Sequence, residues 1–163
     1  MDRINVLTIE RWHQMALDGA CIPMRIPING VSMAPLIRRN RDMVTIVPLR
    51  EPPAVGDIVM FSDPRARQRY VLHRLWSVGE RQVQTWGDNC LGPDAPMAPE
   101  CLWGRATLIE RGGRRIVPDA HRGLRWARVW HRVIWLRGKV YDWLRPVWHR
   151  VKPWVKRARK NGS

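Results

Sequence analysis

One serine in this sequence has neighbours that suit a nucleophile. Ser32 follows Gly30 by two residues and precedes Pro35 by three, with the apolar Met33 directly after it. Glycine adopts backbone angles that other residues avoid and lets a substrate main chain come close, while proline fixes the exit of a turn. We therefore predict that Ser32 is a nucleophile and that Gly30 and Met33 lie against the substrate and the oxyanion. The alternative is a strand-to-turn junction in which Ser32 only caps the turn.

A serine hydroxyl becomes an effective nucleophile only when a base accepts its proton. All four lysines lie between residues 139 and 160, so a serine–lysine pair within the strand-rich part of the chain is excluded. His73 is the one histidine in that part, and strand alternation puts it on the face of Val71 and Leu75. We predict that His73 is the general base; the alternative is a hydrogen-bonded core histidine.

A catalytic imidazole needs a partner for its other nitrogen, usually a carboxylate that fixes the tautomer. Asp88 follows Gly87 at a predicted strand end, and Asp94 lies six residues further on. We predict that Asp88 orients His73, with Asp94 as the second candidate, although Gly-Asp-Asn is also good turn chemistry by itself. The backbone amide of Ser32 would donate to the oxyanion.

Short strands separated by Pro, Gly, Asn and Asp fill the middle of the chain. They predict a mainly β domain over residues 1–118, a small antiparallel fold that is coiled or barrel-like. A short amphipathic helix over residues 8–18 precedes the strands, with Gly19 as its stop. The predicted strands are Met24–Ile28, Met43–Val47, Asp57–Phe61, Tyr70–Val78, Gln82–Trp86, Leu102–Glu110 and Arg114–Val117.

The charge of the chain is concentrated at its carboxyl-terminal end. Residues 120–163 carry 13 of the 29 Lys and Arg but only one acid, Asp142. Apolar residues recur there at helical spacing, so residues 119–163 are predicted to form a basic, amphipathic helical arm, which Pro146 and Pro153 kink or divide. Tryptophan and arginine around an apolar stripe are typical of a helix at a bilayer interface. The predicted membrane contacts are Trp126, Trp130, Trp143, Trp148 and Trp154.

Two other uses of the arm stay open. Its apolar stripe could pack on the β domain or on a partner protein. Its charge also suits the phosphates of nucleic acid, although the tryptophan stripe would then lack an obvious use. We expect an anionic lipid surface, contacted through residues 120–158, to be the partner of the arm and nucleic acid to be the less favoured one.

The cysteines and the apolar segments limit which cofactors and which cellular location we expect. Cys21, Cys90 and Cys101 show neither a CxxC pair nor the Cys/His spacing of a metal site, so no disulfide framework, metal or cofactor is expected. No secretory signal precedes residue 30, and no run of 18 apolar residues predicts a transmembrane helix. We expect a peripheral membrane protein at the cytoplasmic face, where anionic lipids attract a basic arm, or else a cytoplasmic protein.

Several segments, taken in order, resemble the signal peptidase I group of serine endopeptidases, which is related to the LexA-type self-cleaving proteins. The endoplasmic-reticulum-type and archaeal members of that group have a histidine base where common bacterial members have a lysine, and this chain is similar to the former. The resemblance implies that Ser32 is the nucleophile, that His73 is the base, and that Asp88 and Asp94 match the two acidic positions after it. The matching segments are Gly30–Pro35, Val55–Phe61, Val71–Arg74, Gly87–Asn89 and, more weakly, Leu102–Ala106.

Three features depart from the family pattern. The chain begins with a short, soluble-looking helix where signal peptidases have a transmembrane anchor. Gly30 occupies a position at which many signal peptidases have a serine that serves the oxyanion, and the LexA-like branch also has glycine there. The basic arm is no part of the pattern. These departures limit what the resemblance implies about the substrate and about the side of the membrane more than what it implies about the chemistry.

The sequence therefore predicts a serine endopeptidase that works at a membrane surface on a peptide or protein. The resemblance implies an extended substrate against a strand edge, with small residues beside the cut. Two alternatives stay open: a catalytically silent module of the same fold that binds a peptide or partner, and a LexA-like regulator. The regulator would need a DNA-recognition helix, and residues 8–18 supply one short helix rather than a helix-turn-helix.

Overall fold

The computed structural model describes residues 6–63, 70–136 and 139. Every predicted strand is confirmed with its ends within one residue, whereas the first helix begins two residues earlier than predicted. A second helix, α2, covers residues 120–136. The other elements are α1 (Val6–Leu17), β1 (Met24–Pro27), β2 (Asp42–Pro48), β3 (Ile58–Ser62), β4 (Tyr70–Val78), β5 (Val83–Trp86), β6 (Leu102–Arg111) and β7 (Arg114–Ile116).

The strands form one antiparallel sheet, so the prediction of a mainly β protein is confirmed. The strand order is β1-β2-β6-β3-β4-β5, and β7 pairs with β6. Strands β1 and β5 end the described sheet without pairing with each other, so the sheet is not a closed barrel. The register shifts once each in the β2–β6, β3–β6 and β4–β5 pairs, and such irregularities increase the bend and twist of a sheet.

Strand β3 is buried on both of its faces. Its side chains alternate between two apolar clusters, as the period of two of a strand requires. Ile58 and Met60 belong to the larger cluster, which includes α1 and the turn after β1, whereas Val59 and Phe61 belong to the smaller one. Because β3 also pairs with β4, its burial fixes the strand that carries His73.

Helix α1 is anchored on the sheet by Trp12, which is 7% exposed. The Trp12 indole N–H donates to the Ile22 carbonyl over 2.7 Å. Its ring lies over Gly104 of β6, where a Cβ atom would come within 2.9 Å of the indole and 2.6 Å of Ile46 Cγ2. Gly19 follows the helix with φ of +99°, which fits its predicted role as the helix stop.

Helix α2 packs one face on the β domain. Ala127 and His131, four residues apart on that face, are buried. At the start of the helix, Gly123 lies against the Arg74 guanidinium, and the Ala120 carbonyl lies against Gly56. This face of α2 therefore packs on the β domain, as one of the alternatives left open by the sequence states for the arm.

The opposite face of α2 is apolar and exposed. Its residues recur at helical spacing, and their exposed fractions are 40% for Trp126, 62% for Val129, 45% for Val133 and 54% for Leu136. Trp130 is half-buried and stacks on Trp126. The other predicted membrane contacts, Trp143, Trp148 and Trp154, lie outside the described residues. In the part of the chain that the structure describes, no helix has the length and apolarity to cross a bilayer.

Candidate active site

Ser32 lies in a tight turn between β1 and β2. The Ala34 amide donates to the Val31 carbonyl over 3.1 Å, and the Ile37 amide donates to the Met33 carbonyl over 2.9 Å. The side chains of Met33 and Ile37 are buried and anchor the turn in the larger apolar cluster. Ser32 itself stays partly exposed. The turn therefore presents the Ser32 hydroxyl on a fixed support.

His73 is held by Asp94. Nδ1 of His73 lies 2.6 Å from Asp94 Oδ2, and the Thr85 hydroxyl donates to the same carboxylate oxygen over 2.7 Å. The Asp94 amide donates to the Thr85 carbonyl over 2.8 Å, so the carboxylate is fixed at β5. A carboxylate only accepts, so Nδ1 carries the proton and the neutral ring keeps a lone pair on Nε2. This is the tautomer that a general base needs.

Asp88 does not contact His73, and the prediction that it orients the imidazole is wrong. Its carboxylate accepts two hydrogen bonds from Arg74, at 2.9 Å from Nε and 2.8 Å from Nη2. Both side chains are almost completely buried. The alternation of side chains along β4 explains why the two carboxylates have different partners, because neighbouring residues of a strand point to opposite faces. His73 bonds to Asp94 on one face, and Arg74 bonds to Asp88 on the other.

The groups around Ser32 and His73 converge at Gly87. The point where a Cβ atom of residue 87 would lie is 2.8 Å from His73 Nε2 and 2.9 Å from the Ser32 carbonyl oxygen. The same point is 2.7 Å from Cys90 Sγ. The Asn89 amide also donates to the Ser32 carbonyl over 2.6 Å. The loop Gly87–Cys90, here called the catalytic loop, thus joins the serine turn to the histidine.

Ser32, His73 and Asp94 line one cavity of about 860 Å³, with Gly30, Met33 and Cys90. Among the described residues, no hydrogen bond joins Ser32 Oγ to His73. Catalytic hydrogen bonds are often long or misaligned before a substrate binds and tighten only in the complex. The structure thus brings together Ser32, His73 and Asp94 of the predicted site residues, and it assigns Asp88 to a supporting ion pair.

Comparison with protein-family models, characterised proteins and solved structures gave no match for this chain.

The cavity lies between two strand edges. On one side, β1 pairs only with β2 among the described residues, and Ile26, Pro27 and Ile28 line the cavity. On the other side, residues 70–73 of β4 pair only with β3 among the described residues, because β5 pairs with β4 from Arg74 onwards. Unpaired strand edges offer backbone hydrogen bonds to an extended peptide.

The environment of His73 changes its proton affinity in two directions. Burial disfavours the charged imidazole, but the hydrogen bonds and electrostatic interactions of His73 with Asp94 and Cys90 outweigh that effect and raise its pKa to about 9. The pKa of Asp94 is lowered, because the bonds from His73 and Thr85 outweigh its burial. His73 therefore titrates near 9 rather than near the ordinary imidazole pKa value of 6.5.

Four residues that contact the candidate site were not predicted as site residues from the sequence. Cys90 touches His73 and lines the cavity, and Thr85 supports Asp94. The basic residue next to the base, Arg74, holds the catalytic loop through Asp88. His131 of the arm donates to the Gly87 carbonyl over 3.1 Å. A signal existed only for Arg74, which directly follows His73, and for Cys90, which directly follows the matching segment Gly87–Asn89. Within the described ranges, no group of three or more histidine, cysteine or acidic side chains could hold a metal ion.

Removal of the Asp88 carboxylate should destabilise the fold. Asp88→Ala would leave the Arg74 guanidinium buried without its partner, which typically costs about 3–5 kcal/mol. The matched control is Glu110→Ala, which breaks the solvent-exposed pair with Arg25 and should cost less than about 1 kcal/mol. Urea denaturation measures both. Equal losses in the two variants would contradict the supporting role of the Arg74–Asp88 pair.

The reactivity of Ser32 should rise with pH up to about 9. Only neutral His73 can accept the serine proton, and its pKa of about 9 leaves the imidazole mostly protonated at neutral pH. The rate at which a fluorophosphonate modifies Ser32, followed from pH 6 to 10, measures this. A plateau reached by about pH 7 would contradict the inferred coupling of His73 to Asp94 and Cys90.

Proposed function

We propose that this protein is a serine endopeptidase that resembles the histidine-type members of the signal peptidase I group. The observation that carries the proposal is the bond of 2.6 Å between His73 Nδ1 and Asp94, with Ser32 on the same cavity. A nucleophile, a base and an orienting carboxylate are the three parts of a serine hydrolase centre. The bulged sheet also supports the barrel-like coiling that the resemblance implies.

The reaction would proceed in two halves. Ser32 Oγ attacks the scissile carbonyl carbon while its proton passes to His73 Nε2. Collapse of the tetrahedral intermediate breaks the C–N bond, and His73 returns the proton to the leaving amine. Water then attacks the acyl-enzyme, with His73 again accepting a proton, and the carboxylic acid leaves as the Ser32 hydroxyl re-forms. Asp94 stays ionised and stabilises the imidazolium at each transfer.

The oxyanion would form beside the serine turn. Among the described residues, none accepts a hydrogen bond from the Ser32 amide, so this N–H is free to donate to the developing charge. Gly30 leaves room for the substrate main chain, because the nearest atom to a Cβ there would be Ser32 Oγ at 4.0 Å. Met33 is 3% exposed and supports the floor of the cavity with its side chain.

The substrate would be an extended peptide that adds to the strand edges of β1 and β4. Main-chain hydrogen bonds would hold it, and alternate side chains would enter the cavity. Apolar residues, among them Ile26, Ile28, Met60 and Phe61, line part of the cavity. They would suit apolar side chains of a bound peptide, and the resemblance implies that small residues lie beside the cut.

The arm would hold the enzyme at an anionic lipid surface. Helix α2 carries four arginines and no acid over residues 120–136, beside the exposed apolar stripe that includes Val129. We expect the protein to float with phosphatidylglycerol vesicles at physiological salt and not with phosphatidylcholine vesicles. Val129→Asp should lose flotation, whereas His121→Asp, on the same helix outside the stripe, should retain it. Retention on DNA without flotation would contradict the lipid assignment.

A fluorophosphonate probe tests the enzyme proposal against the silent module. Such probes form a covalent bond only with an activated serine, so mass spectrometry of the digested adduct should locate the label on Ser32. Boiled protein and Ser32→Ala should not react. Failure of the folded wild-type protein to label at Ser32 between pH 7 and 10 would favour the silent binding module.

A further inference from the structure

His131 is the buried polar residue through which helix α2 touches the catalytic loop. Its side chain is 8% exposed, and its ring stacks on Trp86 with centroids 4.0 Å apart and an interplanar angle of 17°. The Trp76 ring lies 5.3 Å away on the same histidine. The imidazole is thus fixed by two tryptophans of the β domain rather than by its own helix.

The hydrogen bond of His131 assigns its protonation. Nε2 lies 3.1 Å from the Gly87 carbonyl oxygen, which can only accept, so Nε2 carries a proton and donates. Nδ1 is buried and has no partner among the described residues. A second proton there would be buried without an acceptor, so the donor is a neutral imidazole.

The Gly87 carbonyl belongs to the residue on which the site converges. A Cβ atom at Gly87 would meet His73 Nε2 and the Ser32 carbonyl oxygen, and the carbonyl of Gly87 accepts the hydrogen bond from His131. The loop is tied down again by the Trp86 indole, which donates to the Cys90 carbonyl over 3.0 Å. A shift of Gly87 away from His131 would therefore move the loop relative to both the base and the serine turn.

We infer that His131 is a positioning residue of the active site and that helix α2 is a structural part of the catalytic centre. The Nε2–H of His131 holds the Gly87 carbonyl and thereby fixes the distance between the serine turn and His73. The inference rests on the proposed endopeptidase function and extends it to a residue of the carboxyl-terminal arm.

The second contact of α2 supports the same role. Gly123 lies against the guanidinium of Arg74, which binds Asp88, the next residue of the catalytic loop. Arg74 Nη1 also donates to the Gly56 carbonyl over 2.8 Å, and Gly56 touches the start of the helix. Helix α2 thus covers the back of the catalytic loop at two consecutive residues.

The test separates the hydrogen bond from the packing of the ring. His131→Phe keeps a stacked ring without the donor and should slow fluorophosphonate labelling of Ser32 by about 10–100-fold, because small displacements of catalytic groups have effects of that size. His131→Gln restores a donor at the reach of Nε2 and should recover to within about threefold of wild type. His131→Asn has the same amide on a shorter side chain and should stay slow. His121→Phe is the matched control on the exposed part of the helix and should react like wild type.

A second readout does not depend on catalysis. The imidazole NMR signals of His73 should shift in His131→Phe and return in His131→Gln, with thermal unfolding used to confirm that each variant is folded. If His131→Phe fails to fold, the comparison of His131→Gln with His131→Asn decides the matter. Equal labelling rates and unchanged His73 signals in the variants would overturn the positioning role. Absence of Ser32 labelling in the wild type, with the His73 signals shifted as expected, would contradict the endopeptidase proposal alone.

Discussion

Asp94→Asn is expected to lower the turnover of peptide substrates by about 10³–10⁴-fold without unfolding the protein. An amide at this position can donate to Nδ1, which would leave the proton of the neutral ring on Nε2, where it cannot accept the serine proton. Loss of the negative charge should also lower the pKa of His73 from about 9. The effect is measured as kcat/KM, with the imidazole titration of His73 followed by NMR.

The control for Asp94→Asn is a carboxylate outside the site. Asp18 follows α1 and is exposed, so Asp18→Asn should leave kcat/KM unchanged. The contrast with Asp88 is equally informative, because Asp88→Ala should act on the free energy of unfolding first. An Asp94→Asn protein that retains more than about a tenth of wild-type activity would show that Asp94 does not orient the base.

Gly87→Ala should reduce activity by about 100-fold or more. The added methyl group would meet His73 Nε2 at 2.8 Å and the Ser32 carbonyl oxygen at 2.9 Å, both inside ordinary contact distance. His73 is clamped by Asp94, and the Ser32 carbonyl is backbone, so relief requires a movement of the site itself. Displacements of about 1 Å at reacting groups cost about 10²-fold in rate. Circular dichroism should show an intact sheet, with the loss confined to kcat/KM.

The matched control is Gly92→Ala, five residues along the same segment. A Cβ atom at Gly92 would meet no atom within 4 Å, so this variant should keep wild-type activity and stability. If Gly87→Ala and Gly92→Ala were equally active, the catalytic loop would not constrain the position of His73 in the way that we infer.

The fold was largely predictable because its signals are local. Gly112 and Gly113 both have positive φ in the turn between β6 and β7, and such a pair is a strong hairpin signal within the sequence itself. The alternation within β4 likewise put His73 on the face of Val71 and Leu75. Closure of the barrel is different, because it depends on whether β1 and β5 meet, and no local pattern encodes the pairing of strands so far apart.

The parts of the site that sequence reasoning missed depend on long-range packing. Asp88 and Asp94 both follow β5, and the spacing alone could not decide which carboxylate returns to β4 on the face of His73. In the structure, the buried guanidinium of Arg74 forms an ion pair with Asp88, and Asp94 forms the hydrogen bond with the imidazole of His73. His131 could not be predicted for the same reason, since it reaches Gly87 across 44 residues of chain. The sequence predicts the helix of His131 as part of a separate arm, because the residues of its outer face are basic and apolar.

The most direct test of the account is the appearance of new amino termini when the protein is incubated with an unbiased library of peptides near pH 9. Wild-type protein should produce cuts that follow small residues, and Ser32→Ala, purified in parallel, should produce none of them. Mass spectrometry of both digests identifies each cut. The same set of termini in the two samples would contradict the central claim that Ser32, activated by His73 and Asp94, hydrolyses peptide bonds.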